Sequence, residues 1–211
     1  MEPETISRRE KSKADKRERI LRAAKELFSS QGFTATKTQD IADHADVATG
    51  TVFQYARSKT ELLLMVMNQA LADAFNQGRA RAVECNDPYA AIESVIIPIV
   101  DMAEQAPELF TAFASEILFG TEGLYRGQAI ELVEQIQSDI ADILAANSPR
   151  RDCDVALAAH AIFGLVIIEL NAVRMGRGSG SVKERIGSHI RLVLQGACSN
   201  YRPDGSCGVT K

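Results

Sequence analysis

Glutamine and threonine side chains set along a short helix carry the chemistry of base reading, and the segment around residues 39–55 concentrates them: Gln39, Thr49, Thr51 and Gln54, with Gly50 and Tyr55 among them. A glutamine amide pairs with the edge of adenine and a threonine methyl rests against that of thymine, each good bidentate pair giving about 1–3 kcal/mol of discrimination. Gly50 permits close backbone approach. Side chains of this kind specify a sequence only if something presents them to a groove.

Two short helices supply that presentation. Hydrophobic spacing predicts one helix from about Thr38 to Ala45 and another from about Thr49 to Tyr55, separated by Asp46, Val47 and Ala48 alone. This is the form of a helix-turn-helix, whose second helix enters the major groove while the first braces across the backbone. Ile41, Ala42 and Ala45 form the expected buried face of the first helix, Val47 plugs the corner, and Val52 and Phe53 anchor the second. Thr49, Gly50, Thr51, Gln54 and Tyr55 are then left to face outward. Ahead of this pair, Ile20, Leu21, Ala24, Leu27 and Phe28 share one face of a longer helix. Gly32 stands where a C-terminal cap favours a left-handed residue, and Phe33 is placed to pack back on the last turn.

Charge is divided along the chain in the same sense. The net charge is −4, yet residues 1–60 hold 12 Lys/Arg against 9 Asp/Glu, and residues 61–211 hold 12 against 19. Between Arg8 and Lys25 there are nine basic and three acidic residues. A basic N-terminal region suits phosphates, although a charge run is equally the mark of a solvated face.

The order and spacing of these residues resemble the DNA-binding domain of the TetR (tetracycline repressor) family. The correspondence runs through Gly32-Phe33, Thr36 to Thr38, Ile41-Ala42, Ala45-Asp46-Val47, Ala48-Thr49-Gly50-Thr51, Phe53-Gln54-Tyr55 and Ser58-Lys59-Thr60-Glu61-Leu62 without a gap, over about residues 13–65. The resemblance implies a DNA face of Gln39, Thr49, Gly50, Thr51, Gln54, Tyr55 and Lys59. Lys59 corresponds to a phosphate-contacting lysine at the start of the fourth helix, where free N–H groups also favour an anion. Three departures stand out. Asp46 replaces a glycine, which aspartate can do because it tolerates a left-handed backbone. Ala48 replaces a serine cap, leaving Thr49 to cap the recognition helix. Phe53 and Ala56 replace tyrosine and phenylalanine, removing one hydroxyl contact to phosphate while Tyr55 retains another.

The remaining spacing is helical almost throughout, so the expected fold is all-α with about nine helices. An arm over 1–12, a helix-turn-helix domain over 13–60, a helical ligand-binding and dimerisation domain over 61–200 and a disordered tail over 201–211 make up the expected domains. Ser58 and Glu61 fit a capping box for the fourth helix, and Asp87-Pro88 opens the fifth, which Pro98 should kink. Two final helices run from about Asp152 to Met175 and from Ser181 to Cys198. The first is apolar nearly all round and needs cover on several sides. Two copies of the pair, meeting through Ile162, Val166, Ile186 and Val193, would form a four-helix homodimer interface; a plain interior pair is the alternative.

The resemblance further implies a pocket whose ligand releases DNA from a palindromic operator, so that the chain acts as a repressor. Met102, Phe110, Phe113, Phe119, Tyr125, His160 and Phe163 are candidate wall residues, each taken singly reading more readily as ordinary core. Walls of this type favour a small hydrophobic or amphipathic effector.

Other classes find little support. The sequence contains no nucleophile elbow, phosphate loop or paired-histidine zinc motif, which argues against an enzyme. His44, His160 and His189, with Cys85, Cys153, Cys198 and Cys207, have no metal-ligand spacing, and no cofactor is expected. Thiols without a CxxC pair read as reduced, and the chain as cytoplasmic. The apolar run from Val155 to Val173 is interrupted by His160, Glu169 and Asn171 and reads as a buried helix rather than a membrane span. A helical interaction module that has lost specific DNA binding remains the alternative function, motivated by Ala48, Phe53 and Ala56.

Overall fold

The computed structural model describes residues 7–147, 154–174 and 180–198. Among them the chain is all-helical: α1 Arg8–Gln31, α2 Thr38–His44, α3 Thr49–Tyr55, α4 Lys59–Ala82, α5 Pro88–Gln105, α6 Pro107–Phe119, α7 Leu124–Asn147, α8 Val155–Arg174 and α9 Val182–Cys198. The expected tail over 201–211, most of the glycine-rich loop before residue 180, and Cys153 and Cys207 lie outside the described residues. Residues 8–12, expected as a flexible arm, are instead the first turns of α1. Ser7 Oγ accepts from the Glu10 N–H at 3.2 Å while the Glu10 carboxylate accepts from the Ser7 N–H at 3.0 Å, a capping box that starts the helix early.

Two compact units divide the chain. Of the described residues, one comprises those up to Ala72 together with Gln105–Glu131; the other comprises Asp73–Glu104 and those from Leu132 on. Within the first unit α4 opens with six consecutive buried side chains, Leu62 to Met67, which no single neighbour could cover. Leu109, Phe110 and Phe113 of α6 and Tyr125 and Ala129 of α7 complete its core. The Asn68 amide donates to the Tyr125 carbonyl at 2.8 Å, and the Tyr125 hydroxyl donates to the Tyr55 carbonyl at 3.0 Å.

The second unit has an aliphatic core of Ile92, Val95, Ile96, Ile99, Val100, Ile136, Ile140 and Leu144. Asp87 caps α5 as expected, accepting from the Ala90 N–H at 2.8 Å. That helix continues through Pro98, which has no N–H to offer the Ser94 carbonyl. Gly78 of α4 lies against that same carbonyl: a Cβ there would stand 2.6 Å from Ser94 O and 2.8 Å from Val95 Cα. Gly78→Ala therefore drives one backbone into another. The expected loss is about 1–3 kcal/mol even after the better helix propensity of alanine, and thermal unfolding should show a lowered Tm. A raised Tm would mean that the crossing has slack.

α8 and α9 pack together, and Ala159, Ile162, Phe163 and Val166 of α8 and Val182, Ile186 and Ile190 of α9 are buried. Glu169 sits in this seam, its carboxylate accepting from Arg185 Nε at 2.6 Å and lying 2.8 Å from His189 Nε2. These bonds, Arg185 first, hold the Glu169 carboxyl below the usual carboxylate range. A depressed folded value means stabilisation present above the unfolded value near 4.5 and lost as the pH falls through the folded one. The stability advantage of the native chain over Glu169→Gln should accordingly shrink as denaturant melts are repeated at pH below about 4.5.

Candidate nucleic-acid interface

The helix-turn-helix is closed by small and β-branched side chains. Ile41 and Ala42 of α2, Ala45 at its end and Val52 of α3 are buried against Ile20, Ala23, Ala24 and Phe28 of α1. Leu21 and Leu27, expected on that face, are only half-buried; Ala23 takes their place. Phe33 folds back edge-on to Phe28, ring centroids 5.4 Å apart, and Gly32 has the positive φ of 81° that this reversal needs. Thr36 is buried, its hydroxyl donating to the Gly32 carbonyl at 2.8 Å.

The turn between α2 and α3 is built around Asp46, which has a φ of 51°. Arg19 of α1 reaches over to donate to the Asp46 carbonyl at 3.3 Å and approaches its carboxylate at 3.5 Å, so the strained residue is held from outside the turn. Val47 fills the corner half-buried.

Two expectations about α3 need correction. Thr49 does not cap the helix: Ala48 is the N-cap, without a side-chain bond, and the Thr49 hydroxyl instead donates to Gln39 Oε1 at 2.6 Å. Phe53 does not anchor α3, since it is 47% exposed; Val52 and Ala56, almost fully buried, do that work. With Val52 and Ala56 four apart on the inner face, residue 53 falls on the flank.

The outward face holds Gly50, Phe53 and Gln54 exposed, with Thr49, Thr51 and Tyr55 half-buried. A Cβ added at Gly50 would meet nothing within 4 Å, so the space before it is open to an approaching molecule. Beside this face lies a groove of about 390 Å³ lined by Arg9, Ser12, Lys13 and Lys16 of α1 and Gln54 and Tyr55 of α3. The Tyr55 hydroxyl donates to the Lys13 carbonyl at 3.0 Å and ties the two walls together. A basic wall next to an amide-bearing recognition helix can hold a phosphate while the helix meets base edges. Sequence reasoning located the basic run but not the groove, which requires α1 to be helical from Arg8.

Lys59 is placed differently from expectation. Its ammonium donates to the carbonyls of Phe33, Thr34 and Thr36 at 2.9, 3.0 and 3.1 Å and stands 4.7 Å from the centre of the Phe33 ring. All three donors of an ammonium are thereby engaged. Ser58 caps α4 by accepting from the Glu61 N–H at 3.1 Å, whereas the Glu61 carboxylate accepts from the Arg57 N–H and not from that of Ser58.

The candidate ligand walls divide between the two units. Phe110, Phe113, Phe119 and Tyr125 belong to the first unit, Met102, His160 and Phe163 to the second. Phe119 is 83% exposed, His160 is also exposed, and the Tyr125 hydroxyl donates to the Tyr55 carbonyl. The expected dimer residues differ in burial. Ile162, Val166 and Ile186 are buried within the α8 and α9 packing of one chain, and Val193 is half-buried. Instead, Leu157 and Ile168 on α8 and Leu192 on α9 are exposed, and only 28% of the apolar window Val155–Ala172 is buried. By length and composition alone that helix could cross a membrane.

Among the described residues the chain is all-helical, a helix-turn-helix in α2 and α3 being followed in sequence by α4 to α9. The family model of bacterial regulatory proteins, tetR family, matches residues 20–66, the segment that holds the helix-turn-helix. Over 103 residues it is 32% identical to the HTH-type transcriptional repressor NicS of Pseudomonas putida, a match that spans 48% of each chain. Over 197 residues it is 22% identical to the HTH-type transcriptional repressor KstR2 of Rhodococcus jostii, covering 90% of this chain and 94% of that one. The fold is shared with Thermus thermophilus FadR, a TetR family repressor solved in complex with lauroyl-CoA, at a TM-score of 0.70 and 24% identity over 89% of this chain and 97% of that one. All three are described as transcriptional repressors.

Proposed function

We propose that the chain is a cytoplasmic repressor that binds a palindromic operator as a homodimer and leaves it when a small hydrophobic or amphipathic effector binds the helical part. The observation that carries this reading is the outward row Thr49, Thr51, Gln54 and Tyr55 standing beside the basic groove of α1. Thr51 and Gln54 read base edges, Gly50 admits the backbone, and Arg9, Lys13 and Lys16 hold phosphates. The names of NicS and KstR2 support the sign of regulation. The exposed apolar rows of α8 and α9 support the dimer, since water-exposed Leu157, Ile168 and Leu192 gain most by meeting a second copy. An aliphatic second unit supports an apolar effector, which must favour the DNA-free arrangement over the DNA-bound one to shift the equilibrium.

A mobility-shift titration against the promoter region beside its own gene tests the reading. Specific binding should weaken steeply between about 50 and 200 mM salt, as phosphate contacts release counterions. Equal binding to unrelated duplexes at every salt concentration would refute it.

A further inference from the structure

On the reading that α3 enters the major groove, we propose that Asp43, which need not touch DNA, sets what Thr49 can recognise: an amino group on the base it faces, hence adenine or cytosine in preference to guanine or thymine. The inference follows from the direction of three hydrogen-bonding groups. Asp43 and Gln39 lie one turn apart on α2, and the Gln39 Nε2 donates to the Asp43 carboxylate at 2.8 Å. An ionised carboxylate only accepts, so the amide must turn its NH2 side to Asp43 and its oxygen away.

That oxygen faces Thr49, 2.6 Å from its hydroxyl. An amide oxygen has no proton to give, so the single hydroxyl proton of Thr49 is committed to Gln39. What Thr49 presents to an incoming base is a pair of acceptor lone pairs. In the major groove the bases that answer with a donor are adenine through N6 and cytosine through N4; guanine and thymine offer acceptors at O6 and O4. Two features keep the chain of bonds in register. The Thr49 hydroxyl is not drawn off to cap α3, and Arg19 pins the turn at Asp46 between the two helices. Asp43 is thus a positioning residue, acting through Gln39.

Selection of binding sites from randomised duplexes, run in parallel with the full-length wild type, Thr49→Val and Asp43→Asn, tests this. The operator position facing Thr49 is the one whose preference Thr49→Val abolishes. There the wild type should favour amino bases over keto bases by about tenfold, the scale of a single good base contact. Asp43→Asn has a neutral amide that can donate as well as accept, so Gln39 is free to turn over, Thr49 regains its proton, and the preference should fall to within about threefold at that position alone. A purely electrostatic role for Asp43 would instead raise affinity for all sequences alike, leaving the preference intact, and would overturn the proposal. So would a keto preference in the wild type. A wild type that selects no sequence at all would remove the operator reading itself, and the proposal with it.

Discussion

Glutamate at both Ile168 and Leu192 is expected to yield a particle of the 23.0 kDa chain mass in sedimentation, against the dimer proposed for the native protein. Both side chains are about two-thirds exposed, at 63% and 65%, on helices whose other sides carry the core of their unit. Burying each should stabilise by roughly 1.5–3 kcal/mol, and in a two-fold interface every residue counts twice. Carboxylates in their place remove that gain and add the cost of desolvating charge. Operator affinity should fall by roughly 10²–10⁴, because two half-site contacts no longer share one particle. Helical content should be retained, since neither side chain packs inside the chain. Ile186→Glu is a useful contrast: Ile186 is 1% exposed, so a charge there should unfold the α8 and α9 seam instead of separating two intact copies. A double variant that remains dimeric would place the interface on another face.

Lys59→Ala should lower the Tm by roughly 5–10 °C, on the scale of about 2–3 kcal/mol for a chain of this length. A lysine reaching only for phosphate would leave the Tm unchanged and cost affinity alone. Here the ammonium gathers the carbonyls of Phe33, Thr34 and Thr36, and alanine would leave those acceptors without their donor beside the Phe33 ring. The loop they belong to leads directly into α2. Loss of DNA affinity should therefore follow loss of order at the start of the helix-turn-helix, and cooling should restore part of it. An unchanged Tm with uniformly weakened binding would return Lys59 to the phosphate-contacting role that the family resemblance implies.

Local rules were legible in the sequence wherever one residue decides the outcome. Asp46 could be read as a left-handed turn residue, Gly32 and Phe33 as a helix end, and Asp87-Pro88 as a helix start, because each depends on backbone geometry within a few residues. Hydrophobic spacing marked α2, α3, α8 and α9 in the same local way. It could not say what covers a face. The stripe of Ile162, Val166 and Ile186 is equally apolar whether its partner is the neighbouring helix or a second copy, and the structure gives it to the neighbour. Phe53 was misplaced because aromatic character suggests an anchor, while Val52 and Ala56 already fill the inner face of a seven-residue helix. Lys59 and Tyr125 find partners 23 to 70 residues away, and no local pattern encodes such pairings. The phosphate groove needed α1 to extend to Arg8, a fact settled by Ser7 and Glu10 rather than by the basic run itself.

The most direct measurement of the central claim is repeated selection of randomised duplex DNA by the full-length protein at physiological salt. An inverted repeat should emerge, with half-sites about one helical turn or a multiple of it apart, reflecting two recognition helices related by a two-fold axis. Enrichment of no motif would contradict the account and leave a helical interaction module with a helix-turn-helix in form alone.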